Sequence, residues 1–250
     1  MSFDRIIALR NNKTVYRDGE RTVKIFDRGY PKTDVLNEAL NQARAETLGL
    51  RVPRVDEVTV TDDGRYAIVS EYVDGTGLDR LMAEKPDKKD EYLRKFVELQ
   101  SQINSKTCNE LRKQRDNLSR RICETDLKAT ERFDLHMRLE DMPKNNKVCH
   151  GDFDPTNVVV TESGEMCILD WSHVSEGEPC ADAARTYLLF LYEGDEECAE
   201  KYLDLFCEIN SRTRDDVCAW LPIVAAAGMA SGGAEERAFL REQYERTVCL

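Results

Sequence analysis

The sequence predicts an α+β fold in two lobes. A five-stranded antiparallel sheet carrying one helix occupies residues 1–72, and a mostly helical lobe with one embedded hairpin occupies residues 73–250. Three observations lead to this reading. The first third of the chain alternates short β-branched or aromatic runs with turn dipeptides. Beyond Gly75 and Gly77 the apolar spacing becomes helical. Strand character then returns only once, in KVCHGDFDPTNVVVTESGEMCILDW.

The elements follow in order. IIALR, KTVYR and RTVKIF read as three strands of a meander, separated by the turn signals Asn11-Asn12 and Asp18-Gly19. DVLNEALNQARAETLG reads as a helix with Val35, Leu36, Ala39, Leu40, Ala43 and Leu48 on its apolar stripe. Thr33 or Asp34 is expected to cap its start, and Gly49 to stop it. RVDEVTVTDDGRYAIVSEYV is a second hairpin about Asp62-Asp63-Gly64. In EYLRKFVELQSQI, Tyr92, Phe96, Leu99 and Ile103 recur at helical spacing, after a solvated EKPDKKDE run. Residues 108–141 are charged and helical, and Glu162-Ser163-Gly164 turns the embedded hairpin. ADAARTYLLFLY, EECAEKYLDLFCEI and WLPIVAAAGM return to helix.

Composition narrows the function classes. With 41% hydrophobic and 34% charged residues, the chain reads as globular, and no apolar run approaches the roughly 18 residues of a membrane span. The start, MSFDRIIALRNNK, lacks the basic, apolar and small-residue sections of a secretory leader, so a cytoplasmic location is expected. A net charge of −12 argues against nucleic-acid and anionic-membrane partners. Nine cysteines without a CxxC pair fit a reducing compartment, and three histidines are too few for a His-rich metal site.

The chemistry concentrates in HGDFDPTN. Gly151 and Pro155 forbid regular helix around Asp152, and Asn157 stands at the mouth of the strand VVV. The partner strand CIL ends in Asp170, so a hairpin turned at Ser163-Gly164 returns Asn157 and Asp170 to one end. A carboxylate and an amide oxygen there make a hard oxygen site for Mg²⁺. Asp152, off the strand, is free to accept a proton from an attacking hydroxyl. Singly, each of these residues is as easily a turn residue; the three-point spacing carries the reading. Lys24, between Val23 and Ile25, points away from its apolar neighbours, and Glu38 on the following helix is placed to pair with it over nucleotide phosphates.

HGDFDPTN followed by ILDW resembles the HxDxxxxN and terminal-Asp motifs of the aminoglycoside phosphotransferase and choline kinase group, small-molecule kinases of the protein-kinase-like fold. NEALNQARAETLGLRVPRV resembles that group's Glu-bearing helix, VSEYVDG its adenine hinge and GEPCADAAR its structural DxA helix. The resemblance implies a catalytic base at Asp152, metal ligands at Asn157 and Asp170, and a phosphate-holding Lys24 paired with Glu38. It also implies a hinge of Ser70, Glu71, Tyr72 and Val73, with His150 and Asp182 supporting the catalytic loop. ATP or GTP with Mg²⁺ would be the phosphoryl source, and a small, cationic hydroxyl compound of the aminoglycoside or choline type the acceptor. Asp154, Trp171, His173, Glu193, Asp195 and Trp220 are candidates for its pocket, the tryptophans as cation–π partners.

Three departures bear on the substrate and the nucleotide. RNNKTVY contains no glycine-rich phosphate loop, Gly151 replaces the Arg that protein kinases carry, and no APE segment follows ILDW. The last two disfavour a protein substrate, and the lack of GxxxxGK[ST] excludes a P-loop NTPase at the motif level. A catalytically degenerate kinase fold acting as a nucleotide-sensing or interaction module is the competing reading, with a protein kinase the third and least favoured.

Overall fold

In the computed structural model, which describes residues 5–10 and 12–248, two compact units are present. One takes in residues up to 85 together with 155–173; the other takes in 86–154 and the chain from 174 onward. Asn11 of the expected first turn and Cys249 lie outside the described residues.

The first unit opens with β1 (Arg5–Arg10), β2 (Lys13–Asp18) and β3 (Arg21–Phe26), followed by α1 (Lys32–Glu46), β4 (Val55–Val60) and β5 (Tyr66–Glu71). The strands form one antiparallel sheet in the order β1-β2-β3-β5-β4. Gly19, at φ 58°, allows a two-residue turn between Asp18 and Arg21. That turn sets the register, pairing Val15 with Lys24 and Lys13 with Phe26. Directly opposed residues share a face, so Lys13, Val15, Lys24 and Phe26 lie on one side. Val23 and Ile25 lie on the other side, with Ala67, Val69 and Tyr16.

Helix α1 covers the first of these faces, where Phe26 and Ile68 pack against Val35 and Ala39. Its stripe is rotated from the one expected. Leu36 and Leu40 are 45% and 48% exposed, whereas Val35, Glu38, Ala39, Gln42 and Ala45 are buried. Two of the buried polar residues have partners: Glu38 meets lysines, and Gln42 donates to the Pro53 carbonyl at 2.7 Å. Nor does Thr33 or Asp34 cap the helix; Pro31 precedes it in extended conformation, with no side-chain cap.

After β6 (Thr76–Gly77) and α2 (Leu78–Glu84), the chain enters the second unit with α3 (Lys89–Ser105), α4 (Gln114–Cys123), α5 (Ala129–Asp141) and β7 (Lys147–Cys149). It returns to the first unit for the hairpin β8 (Val158–Val160) and β9 (Met166–Ile168), to which β6 adds a third strand. The second unit then resumes with β10 (Ser175–Gly177), antiparallel to β7, and with α6 (Pro179–Tyr192), α7 (Glu196–Asn210), α8 (Arg214–Cys218), α9 (Leu221–Gly228) and α10 (Ala234–Val248). Its core holds a stacked pair, Phe96 and Phe153 at 4.3 Å between ring centroids, edged by Phe190 and Tyr202. Among the described residues no helix is long and apolar enough to cross a membrane.

Candidate active site

The first unit gathers four charged side chains from three elements and the loop after β9. Lys24 on β3 contacts the Glu38 carboxylate of α1 at short range. Lys13, at the start of β2, lies 3.2 Å from both Glu38 oxygens and 3.2 and 3.4 Å from the Asp170 oxygens. Lys24 stands 3.8 Å from Asp170. Burial by itself would raise the Asp170 pKa, but the Lys24 and Lys13 ammonium groups hold it well below the usual carboxylate range. Burial would likewise lower the Lys24 pKa; Asp170 and Glu38 outweigh it and leave the ammonium above its ordinary value.

The hairpin supplies the geometry at Asp170. Val158 pairs with Ile168, and Leu169 donates its N–H to the Asn157 carbonyl at 2.8 Å, so Asn157 and Asp170 emerge at the same end. Asp170 itself is left-handed, at φ 56°, a conformation Asp reaches more readily than most residues. Its carboxylate and the Asn157 amide are hard donors of the kind Mg²⁺ takes, and the two ammonium groups already at Asp170 show that this position draws positive charge.

These residues line a cavity of about 750 Å³ within the first unit, together with Ser70, Glu71, Tyr72 and Val73. Although the chain is acidic overall, the wall carries Arg5, Arg10, Lys13, Lys24 and Arg80 against Glu71, Asp79 and Asp170. The strand end at Ser70–Val73 is firmly held. Arg51 makes a two-pronged ion pair with Glu71 at 2.5 and 3.1 Å, and the Arg17 guanidinium sits 4.0 Å over the Tyr72 ring. The N–H groups of Glu71 and Tyr72 are already donated to the carbonyls of Arg54 and Glu20.

The second unit holds the loop after β7. Gly151 takes φ 84°, which glycine adopts without the Cβ penalty. The buried Asp182 carboxylate accepts the N–H groups of His150 and Gly151 at 3.2 and 2.7 Å, and the Gln100 and Asn104 amides at 3.4 Å. His150 Nδ1 accepts the Asp152 N–H at 3.3 Å. Phe153 anchors the next position, its ring in the aromatic core and its carbonyl accepting from Thr186 at 2.8 Å. The Asp152 carboxylate is therefore presented from a loop pinned on both sides. Arg185 reaches it at 3.3 Å and also pairs with Glu236 at 3.0 Å.

Several acceptor candidates are placed otherwise than expected. Trp171 is fully buried, its indole N–H donated to the Ile168 carbonyl at 3.1 Å, and Trp220 is buried at the start of α9. Neither ring offers an open face for a cation. Asp195 caps α7, accepting the Cys198 N–H, and pairs with Lys89 at 2.5 Å. Glu193 closes α6 on an exposed stretch, His173 is exposed, and Asp154 is partly exposed. Lys13, Phe153 and Arg185 were not anticipated. For Lys13 the signal was available: a two-residue turn after Asp18 already puts it on the Lys24 face.

A sequence profile described as the phosphotransferase enzyme family matches residues 5–220. None of the curated proteins matches the chain in sequence. Among solved structures, the chain is similar to a thermostable mutant of aminoglycoside phosphotransferase APH(4)-Ia in ternary complex with AMP-PNP and hygromycin B. The TM-score is 0.71 at 15% identity, covering 98% of this chain and 92% of that one. A choline/ethanolamine kinase family protein from Mesorhizobium loti aligns at TM-score 0.65 and 15% identity, over 100% and 87% of the two chains. The GDP complex of aminoglycoside 2'-phosphotransferase-IIIa aligns at TM-score 0.65 and 15% identity, over 100% and 94%. At such identities the likeness shows a shared kinase-like fold.

Proposed function

The chain belongs to the phosphotransferase enzyme family, and on that premise we propose that it transfers the γ-phosphoryl group of ATP or GTP to a hydroxyl of a small molecule. The observation that carries this reading is the charged cluster at the cavity wall, where Lys24, paired with Glu38, stands beside the Asp170 carboxylate. A nonreacting interaction surface has no need of a half-buried lysine held between two carboxylates. Relatives support the nucleotide class, since one was solved with AMP-PNP and another with GDP.

Each residue then has a task. Lys24, kept charged and oriented by Glu38, holds the phosphates. With the Glu71 and Tyr72 N–H groups taken, the base is met by Val73 and by carbonyls of this segment, with Val15, Val159 and Leu169 supplying apolar wall. Asn157 and Asp170 would hold Mg²⁺, which supplies charge neutralisation at the phosphates when bound. Asp152, fixed by Gly151, His150 and Phe153, accepts the proton of the acceptor hydroxyl. With both tryptophans in the core, recognition of a cationic acceptor falls to carboxylates such as Asp154.

A nucleotide-binding protein without turnover is the second reading, favoured by the Arg185 contact that occupies Asp152. A coupled ADP-release screen against amino alcohols, aminoglycosides, sugars and nucleosides separates the two. Turnover is expected with at least one hydroxylated acceptor, and Asp152→Asn should lower it by roughly 10²–10⁴-fold without changing the melting temperature. Retained Mg-nucleotide binding with no turnover across the panel would favour the second reading, and an absence of nucleotide binding would sink both.

A further inference from the structure

We propose that Lys13 is a second phosphate-binding lysine that does the work of the missing glycine-rich loop. The inference rests on the nucleotide-binding reading above and extends it to a residue outside the motifs. Kinase folds commonly cradle phosphates with backbone N–H groups of glycines between the first two strands. Here residues 5–18 contain no glycine, so that source of donors is missing. In its place β2 begins with Lys13, whose Nζ carries three donors and lies within 3.2–3.4 Å of the Glu38 and Asp170 carboxylates.

Its position is set by the fold. The register of β2 and β3 places Lys13 opposite Phe26, on the face that carries Lys24 and fronts the cavity. The ammonium also stands 5.9 Å from the Phe26 ring centroid, and the side chain is 15% exposed. It is thus held at the cavity wall by contacts with several elements and is not a solvated strand lysine.

The charges explain why two lysines are useful. Without nucleotide, Lys13 and Lys24 balance Glu38 and Asp170. Glu38 keeps Lys24 in place through the shorter contact, whereas Lys13 is shared between both carboxylates at longer, nearly equal distances. A cation held by Asp170 would repel the ammonium beside it, and Lys13, shared at longer distances, would be the lysine released to an anionic partner. Phosphate oxygens in the cavity are that partner. Lys13 therefore contributes to affinity for the phosphates and not to affinity for the base.

Calorimetric titration of the intact chain with AMP-PNP plus Mg²⁺, and separately with adenosine, tests this. Lys13→Gln should weaken AMP-PNP binding at least tenfold while adenosine affinity stays within twofold, and Lys13→Arg should fall between. Lys32→Gln, at an exposed lysine, serves as the control. Equal loss for both ligands, or no loss for AMP-PNP, overturns the inference while leaving the kinase reading intact. Failure of the unaltered protein to bind AMP-PNP overturns the kinase reading and this inference with it. Should Lys13→Gln fail to fold, Lys13→Arg decides alone, and unchanged affinities for both ligands then count against the inference.

Discussion

Asp182 shows how one buried side chain can organise a loop. Its carboxylate, 1% exposed, accepts from two backbone N–H groups and two side-chain amides. Removing it leaves buried donors without acceptors, a penalty of about 1–3 kcal/mol per group before relaxation. Asp182→Ala should therefore destabilise the protein by roughly 3 kcal/mol in chemical denaturation. It should also lower turnover, because His150 and Gly151 no longer hold the Asp152 loop. A full-strength denaturation midpoint would show that the network is dispensable. At this scale the sequence was informative wherever a residue's neighbours constrain it. Alternation in RTVKIF put Lys24 against the helix side, and Gly151 and Pro155 marked a loop around Asp152. It was uninformative about Trp171 and Trp220, whose rings could be read as cage or core until burial decided.

Helix α1 carries the lesson at the scale of the element. The leucines at 36 and 40 drew the expected stripe toward themselves, yet they face outward. What orients the helix is the set Val35, Glu38, Ala39, Gln42 and Ala45, in which two polar residues are buried because strands and a loop offer them partners. Hydrophobicity along the sequence cannot register that, since the partners come from other elements. Replacing Leu36 or Leu40 with Lys is thus expected to change stability by no more than about 0.5 kcal/mol. Val35→Ala should cost roughly 1–3 kcal/mol through lost burial and a cavity. Thermal or denaturant melts of the three variants check the ranking, and a larger effect at Leu36 would restore the original stripe. The hairpin of β8 and β9 was more legible. Its turn residues and its two short apolar runs fix register without help from elsewhere, and Asn157 and Asp170 follow from that register.

For the whole molecule, the contrast between net charge and cavity charge matters most. A chain at −12 would repel a nucleotide anion at long range, but the cavity wall carries five basic residues, the candidate phosphate-binding Lys13 and Lys24 among them, against three acids. Binding of Mg-AMP-PNP at about 100 times its Kd should stabilise the protein by about 2.7 kcal/mol. For a chain of this size that raises Tm by roughly 5–10 °C. Scanning calorimetry with and without ligand reads it directly, and an unmoved Tm at saturating ligand contradicts nucleotide binding by the folded state. The sequence by itself determined β1 to β5 with α1, the loop around Asp152 and the return of Asn157 and Asp170 to one end of the hairpin, because each depends on periodicity or on turns a few residues long; the short strands β6 and β10 and the helices α2 and α10 carried no such signal. Tertiary structure alone decided that Lys13 joins Asp170 across 157 positions, that α1 turns its polar residues inward and that both tryptophans are core. Those outcomes depend on which surfaces meet, and no local window of sequence contains both partners.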